Sequence, residues 1–134
     1  MHQPDHQTVA QIEHIALATN DLESMCAFYR RLGAVASGPS TDPENGLRSC
    51  VLDFCGGRLE LFEGPPGRQG AVRRSQTLLQ LGFALGSADA VDELSRAFAA
   101  AGYRVVEPPH RTSEFGRYES VVLDPDCNRV KLTV

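Results

Sequence analysis

Lysine is almost absent from this chain. Twelve of its thirteen basic residues are arginine, and Lys131 is the single lysine. No apolar run approaches the roughly 20 residues that a membrane-spanning helix needs. The opening stretch, MHQPDHQTVAQ, has neither a basic nor an apolar segment, so it does not read as a secretory signal. No CxxC pair occurs among the four cysteines, Cys26, Cys50, Cys55 and Cys127, which argues against a zinc ribbon. The expectation is therefore four reduced thiols in a cytoplasmic protein. No G-x-S-x-G is present, so a hydrolase triad has no support. A formal charge of −4 gives no electrostatic footing for nucleic acid.

What is present is an ordinary globular composition, 42 % hydrophobic and 22 % charged over 134 residues. That is one domain with a real core. Residues 1–10 are polar and read as a flexible tail carrying His2 and His6. The alternating QIEHIALA predicts a strand over 11–18. Asn20 with Glu23 three residues on has the form of a capping box. Leu22, Met25, Cys26, Tyr29 and Leu32 then recur at helical spacing up to Gly33. Short strands over 34–37, 47–54 and 58–63 follow, the first two separated by the turn-rich GPSTDPENG. Residues 64–76, with two prolines and Arg68, Arg73 and Arg74, read as a linker. The same order then returns. A strand spans 78–85, and a helix is capped by Ser87 and ended by Gly102. Strands follow over 103–106, 118–124 and 129–134, with the loop PPHRTSEFGR between the first two of them.

Laid on one another, the halves place His14 opposite Gln80, Gly33 opposite Gly102, and Arg58-Leu59-Glu60-Leu61 opposite Arg129-Val130-Lys131-Leu132. The offset drifts from 66 to 69 to 71 residues, as loop insertions would cause. Such a repeat sets the architecture. It divides the chain into a βαβββ module over 11–63 and a second over 77–134. The expected fold is α+β, with helices outside and open sheet faces meeting around a cup. Strand alternation puts Arg58, Glu60 and Phe62 on one face and Leu59 and Leu61 on the helix face. By the same parity Arg129, Lys131 and Thr133 face the cup.

This pattern resembles the vicinal oxygen chelate superfamily, which includes glyoxalase I, bleomycin-resistance proteins and extradiol dioxygenases. The residues that carry it are HIALATNDLESMCAFYRRLGA, GGRLELFE, LLQLGFALGSADAVDEL and RYESVVLDPDCNRVKL. The resemblance implies a homodimer and one divalent-metal site built from four inward positions, two per module. Those positions fall on His14, Glu60, Gln80 and Lys131. The first three are ligand types that such sites use. Lys131 stands where relatives carry a glutamate that is both ligand and catalytic base. In the turn before it, DPDCN replaces the usual DPDGN, so Cys127 stands at a glycine place.

A lysine ammonium about 4 Å from a dication repels it by roughly 8 kcal/mol at an effective dielectric of 20. A threefold discount still removes about two decades of affinity. The expectation is thus no cofactor, or a weakly bound Ni, Zn, Mn or Fe ion, with the Lys131 ammonium paired to Glu60. The primary functional expectation is a protein that binds a small molecule in the cup through Arg58, Tyr118, Arg129 and Lys131. The alternative is a metal-dependent lyase or isomerase of glyoxalase I type using His14, Glu60 and Gln80. Its base would come from Lys131, Glu119 or His110. Ring-cleaving dioxygenase chemistry is disfavoured, because the second histidine and the carboxylate at 131 are missing. A scaffold that binds partners and no ligand is the third reading.

Overall fold

The computed structural model describes residues 8–64, 78–113 and 115–134. His2, His6, Arg68, Arg73 and Arg74, with most of the tail and linker, lie outside them. The first module runs β1 (His14–Ala18), α1 (Leu22–Arg30), β2 (Val35–Thr41), β3 (Arg48–Phe54) and β4 (Gly57–Glu63). The second runs β5 (Leu81–Ala84), α2 (Ala88–Ala100), β6 (Val105–Arg111), β7 (Tyr118–Leu123) and β8 (Arg129–Thr133). Each module makes one four-stranded mixed sheet, ordered β1-β4-β3-β2 and β5-β8-β7-β6. In each, the opening strand lies parallel to the closing one, and the crossover between them contains the helix. Ile15 pairs with Leu59, and Leu81 pairs with Val130. Those are equivalent pairs in the internal repeat, so the repeat is exact at the level of strand register.

Element boundaries move for identifiable reasons. β1 and β5 start later than the alternating pattern suggests, which leaves Gln80 one residue before β5. The cap of α1 is Asp21 rather than Asn20: its carboxylate accepts from the Ser24 amide at 3.2 Å. Glu23 turns instead to Arg48. β2 and β6 extend through Pro39 and through Pro108 and Pro109, segments that read as loops from their composition. Both are edge strands, where a missing amide donor costs no ladder partner. Both also shift register beside their prolines, between Ser37 and Ser40 and between Glu107 and His110.

The strand parity holds. Leu59, Leu61, Val130 and Leu132 are buried, while Arg58 is exposed and Glu60, Arg129 and Lys131 are half-buried. The modules meet through aromatic rings. Phe28 of α1 stacks on Phe98 of α2, with centroids 4.6 Å apart, and packs edge-on to Tyr103 at 5.0 Å. Phe54 and Phe83, both on the helix faces of their sheets, lie 5.1 Å apart. The helix faces of both sheets thus join in one continuous core. The expected α+β fold of two tandem βαβββ modules is what forms, and within the chain the helix-covered faces share a core from which each open face turns away. The reason is the ring content of α1. Its buried arc of Leu22, Met25, Cys26, Phe28 and Tyr29 is too wide for one sheet to cover.

The expectation of four thiols is also corrected. Cys26 of α1 and Cys50 of β3, both buried, are joined by a disulfide, while Cys55 and Cys127 are not disulfide-bonded. Packing of α1 on β3 brings together two residues that sequence spacing could not pair. Among the described residues, no helix is long and apolar enough to cross a membrane.

Candidate functional site

On the open face of the first module, β1 and β4 run in parallel register, so His14 and Ala16 share a side with Arg58 and Glu60. His14 Nδ1 hydrogen-bonds Glu13 Oε2 at 2.9 Å. That bond, with the Glu60 charge nearby, raises the imidazole pKa above its ordinary value. Glu13 is lowered in return by the His14 partner. Arg58 donates to Asp53 at 3.0 Å, and its Nη1 stands 3.8 Å from both Glu13 and Glu60. Its guanidinium is therefore already surrounded by carboxylates.

The open face of the second module holds Lys131 on β8 and Glu119 on the neighbouring β7. Lys131 Nζ lies 3.4 Å from Glu119 Oε2. Glu119 is only 7 % exposed, and this oxygen makes no aligned hydrogen bond, so the contact is an ion pair of charges without a directed bond. The expected Lys131–Glu60 pair is not what forms. Within the chain the two residues lie on separate sheets whose open faces turn away from the shared core, and Glu119 supplies the counter-charge. Arg129 is held by Glu107, whose other oxygen is 3.9 Å from His110 Nε2. His110 Nδ1 sits 2.8 Å from the Pro108 carbonyl.

Beside this pair is an open cavity of about 550 Å³, lined by His110, Arg111, Phe115, Arg117, Glu119 and Lys131 among others. Three sequence candidates for a base, Lys131, Glu119 and His110, thus share one cavity. Tyr118, expected in the cup, takes the other side of β7: its hydroxyl donates to Asp92 of α2 at 2.6 Å, which raises its pKa. Alternation explains the swap, because Tyr118 and Glu119 are neighbours and only one can face the cavity.

Sequence reasoning missed Arg111, Arg117 and Phe115. Arg111 donates to the Gly116 carbonyl at 2.9 Å and lies over the Tyr118 ring. Arg117 lies over Phe115, which has φ +60° and is 84 % exposed. The crowding of Phe and two arginines in RTSEFGR was the available signal, but it sat in a loop whose path composition does not fix.

The four positions taken from the resemblance are split between the modules, with His14 and Glu60 on one and Gln80 and Lys131 on the other. Their chemistry is one imidazole, one carboxylate, one amide and one ammonium. A set with an ammonium in place of the second carboxylate fits a divalent ion poorly. Among the described residues no three of His, Cys, Asp and Glu gather as a metal site.

A sequence model described as Glyoxalase/Bleomycin resistance protein/Dioxygenase superfamily matches residues 11–132. The fold is similar to a glyoxalase/bleomycin resistance protein/dioxygenase family enzyme from Burkholderia phytofirmans, at 23 % identity and TM-score 0.72, covering 92 % of this chain and 98 % of that one. It is similar to a glyoxalase family protein from Enterococcus faecalis at 21 % identity and TM-score 0.68, covering 92 % and 97 %. A glyoxalase I mutant from Zea mays matches at 15 % identity and TM-score 0.76; this match covers 92 % of this chain and 44 % of that longer one. At these identities the structural likeness speaks for the fold alone. No curated protein matches the sequence.

Proposed function

Because the chain belongs to the Glyoxalase/Bleomycin resistance protein/Dioxygenase superfamily, we propose that its open sheet faces serve a ligand and that it binds a small organic molecule without a tight divalent ion. The observation that carries this reading is the Lys131–Glu119 pair at 3.4 Å in the wall of the 550 Å³ cavity. A cation with its own carboxylate partner occupies the position from which a metal would be held. The volume lies in the range of small-molecule sites.

A second copy completes the site in this proposal. Each open face turns away from the core of its own chain. Ile12 and Leu79, each two residues before β1 and β5, expose 71 % and 76 % of their surface, and Ile15 of β1 exposes 41 %. Exposed apolar side chains beside two edge strands favour a further contact. The open face of a partner's first module would then close over the second module's cavity and bring His14 and Glu60 to Lys131. The chain's own residues would hold the ligand and exclude water, with Glu119 and His110 placed to accept a proton.

The test is the divalent-metal content and affinity of the wild-type protein beside Lys131→Glu. The expected result is a wild type that is empty and binds Ni²⁺, Zn²⁺ or Mn²⁺ weakly. The substitution removes the ammonium and puts a second carboxylate beside Glu119, so it should gain about two decades of affinity. One tight ion per wild-type chain would overturn the reading and make the metal-dependent lyase or isomerase the better account.

A further inference from the structure

The open face of the second module holds two buried oxygens that the chain does not satisfy. Glu119 and Thr133 are directly paired across β7 and β8, so their side chains stand together on that face. Glu119 Oε2 and Thr133 Oγ1 are both buried, and neither has a hydrogen-bond partner among the described residues. No other buried side-chain nitrogen or oxygen among those residues is in this state. A polar atom buried without a partner costs free energy, and native structures hold few. Two of them at directly paired positions call for a partner from outside the chain.

Lys131 adds the complementary group. It lies two residues before Thr133 on β8 and therefore shares its face. Its Nζ stands 3.4 Å from Glu119 Oε2 without a directed bond to that oxygen. There is room beside it. Gly82 of β5 pairs with Lys131, and a β-carbon there would meet nothing within 4 Å. Ala84, which pairs with Thr133, is also small. Glu119 and Lys131 themselves line the cavity of about 550 Å³.

Charge and donor count select the ligand group. Lys131 is balanced by Glu119, and Arg129 by Glu107, so the face favours a neutral group. A ligand carboxylate would meet the Glu119 charge and bring it no hydrogen. A ligand ammonium would meet Lys131. A hydroxyl brings one hydrogen to two waiting oxygens, and a ketone brings none. A primary carboxamide brings two N–H donors, one for each oxygen, and a carbonyl that accepts from Lys131.

We infer that the ligand carries a primary carboxamide, with its N–H groups on Glu119 and Thr133 and its carbonyl on Lys131. This deepens the proposed function and rests on the open face of the second module being the ligand site.

The test uses the wild-type protein and three probes of one shape: benzamide, benzoate, and acetophenone, which keeps the carbonyl and lacks the N–H groups. Binding is read from the amide NMR signals of Gly82, Glu119, Lys131 and Thr133 during titration to millimolar concentration. Benzamide should bind at least about tenfold more tightly than either comparison probe. Thr133→Val removes one acceptor and should weaken benzamide by about threefold while leaving acetophenone unchanged. A benzoate or an acetophenone that binds as tightly as benzamide overturns the assignment of ligand class while leaving the face as a binding site. Benzamide binding that Thr133→Val leaves unchanged overturns the two-donor assignment. Signals that none of the three probes moves overturn both the class and the site. Because the three probes are compared on the wild type, the main result does not depend on the variant folding.

Discussion

His14 is a strand residue whose environment changes its chemistry. The Glu13 carboxylate, and Glu60 behind it, favour the protonated ring and raise its pKa above the ordinary 6.5. The favourable interaction is therefore fully present below the unfolded value and is lost as pH rises through the higher folded one. The window begins at 6.5 and extends upward. Imidazole NMR should show a midpoint above 6.5 that falls when Glu13 becomes Gln; a midpoint at or below 6.5 would refute the pairing. A protonated imidazole cannot ligate, so any metal binding through His14 would weaken as pH falls. At this scale the sequence was only half legible. The types at 14, 60, 80 and 131 could be read, but their partners could not. Glu13 and Glu119 decide what His14 and Lys131 do, and both are set by contacts that no spacing rule supplies.

Turns and edges show the same division one level up. The DPDCN turn was readable as an unusual one because a cysteine stands at its glycine place, and Cys127 indeed has φ +65°. Asp124 anchors the turn: its Oδ1 accepts from the amides of Asp126 and Asn128, both at 2.9 Å, and its Oδ2 accepts from Tyr29 across the module boundary at 2.6 Å. Burial beside Asp124 pushes the Tyr29 hydroxyl pKa upward. A β-carbon in the left-handed region costs roughly 1–2 kcal/mol. Cys127→Gly should therefore raise stability by about 1 kcal/mol and the thermal midpoint by about 4 °C. Calorimetry of the two proteins checks this, and an unchanged or lower midpoint would contradict it. The edge strands were less legible. Prolines in β2 and β6 signal loops by composition, and only the sheet order reveals that they lie where a proline is tolerated.

The whole molecule was legible as a repeat but not as an assembly. Arg58-Leu59-Glu60-Leu61 and its counterpart at 129–132 gave module order, register and parity, because a two-residue period leaves each side chain only one face to choose. How two modules dock depends on the shapes of Phe28, Phe98, Phe54 and Phe83, and a pattern of apolar positions does not encode shape. Since those rings bind the helix faces together, the open faces lie outside that contact, and the proposed partner would cover them. Sedimentation should give a particle of twice the 14.6 kDa chain mass, and a monomer at micromolar concentration would refute completion of the site by a partner.

The near-absence of lysine has a practical consequence. Apart from the α-amino group, the chain's one primary amine is Lys131, in the wall of the candidate cavity. An amine-directed acylating reagent therefore carries its reporter to the cavity as well as to the α-amino group. Any compound that shields the first of these from modification betrays its own occupancy by mass alone.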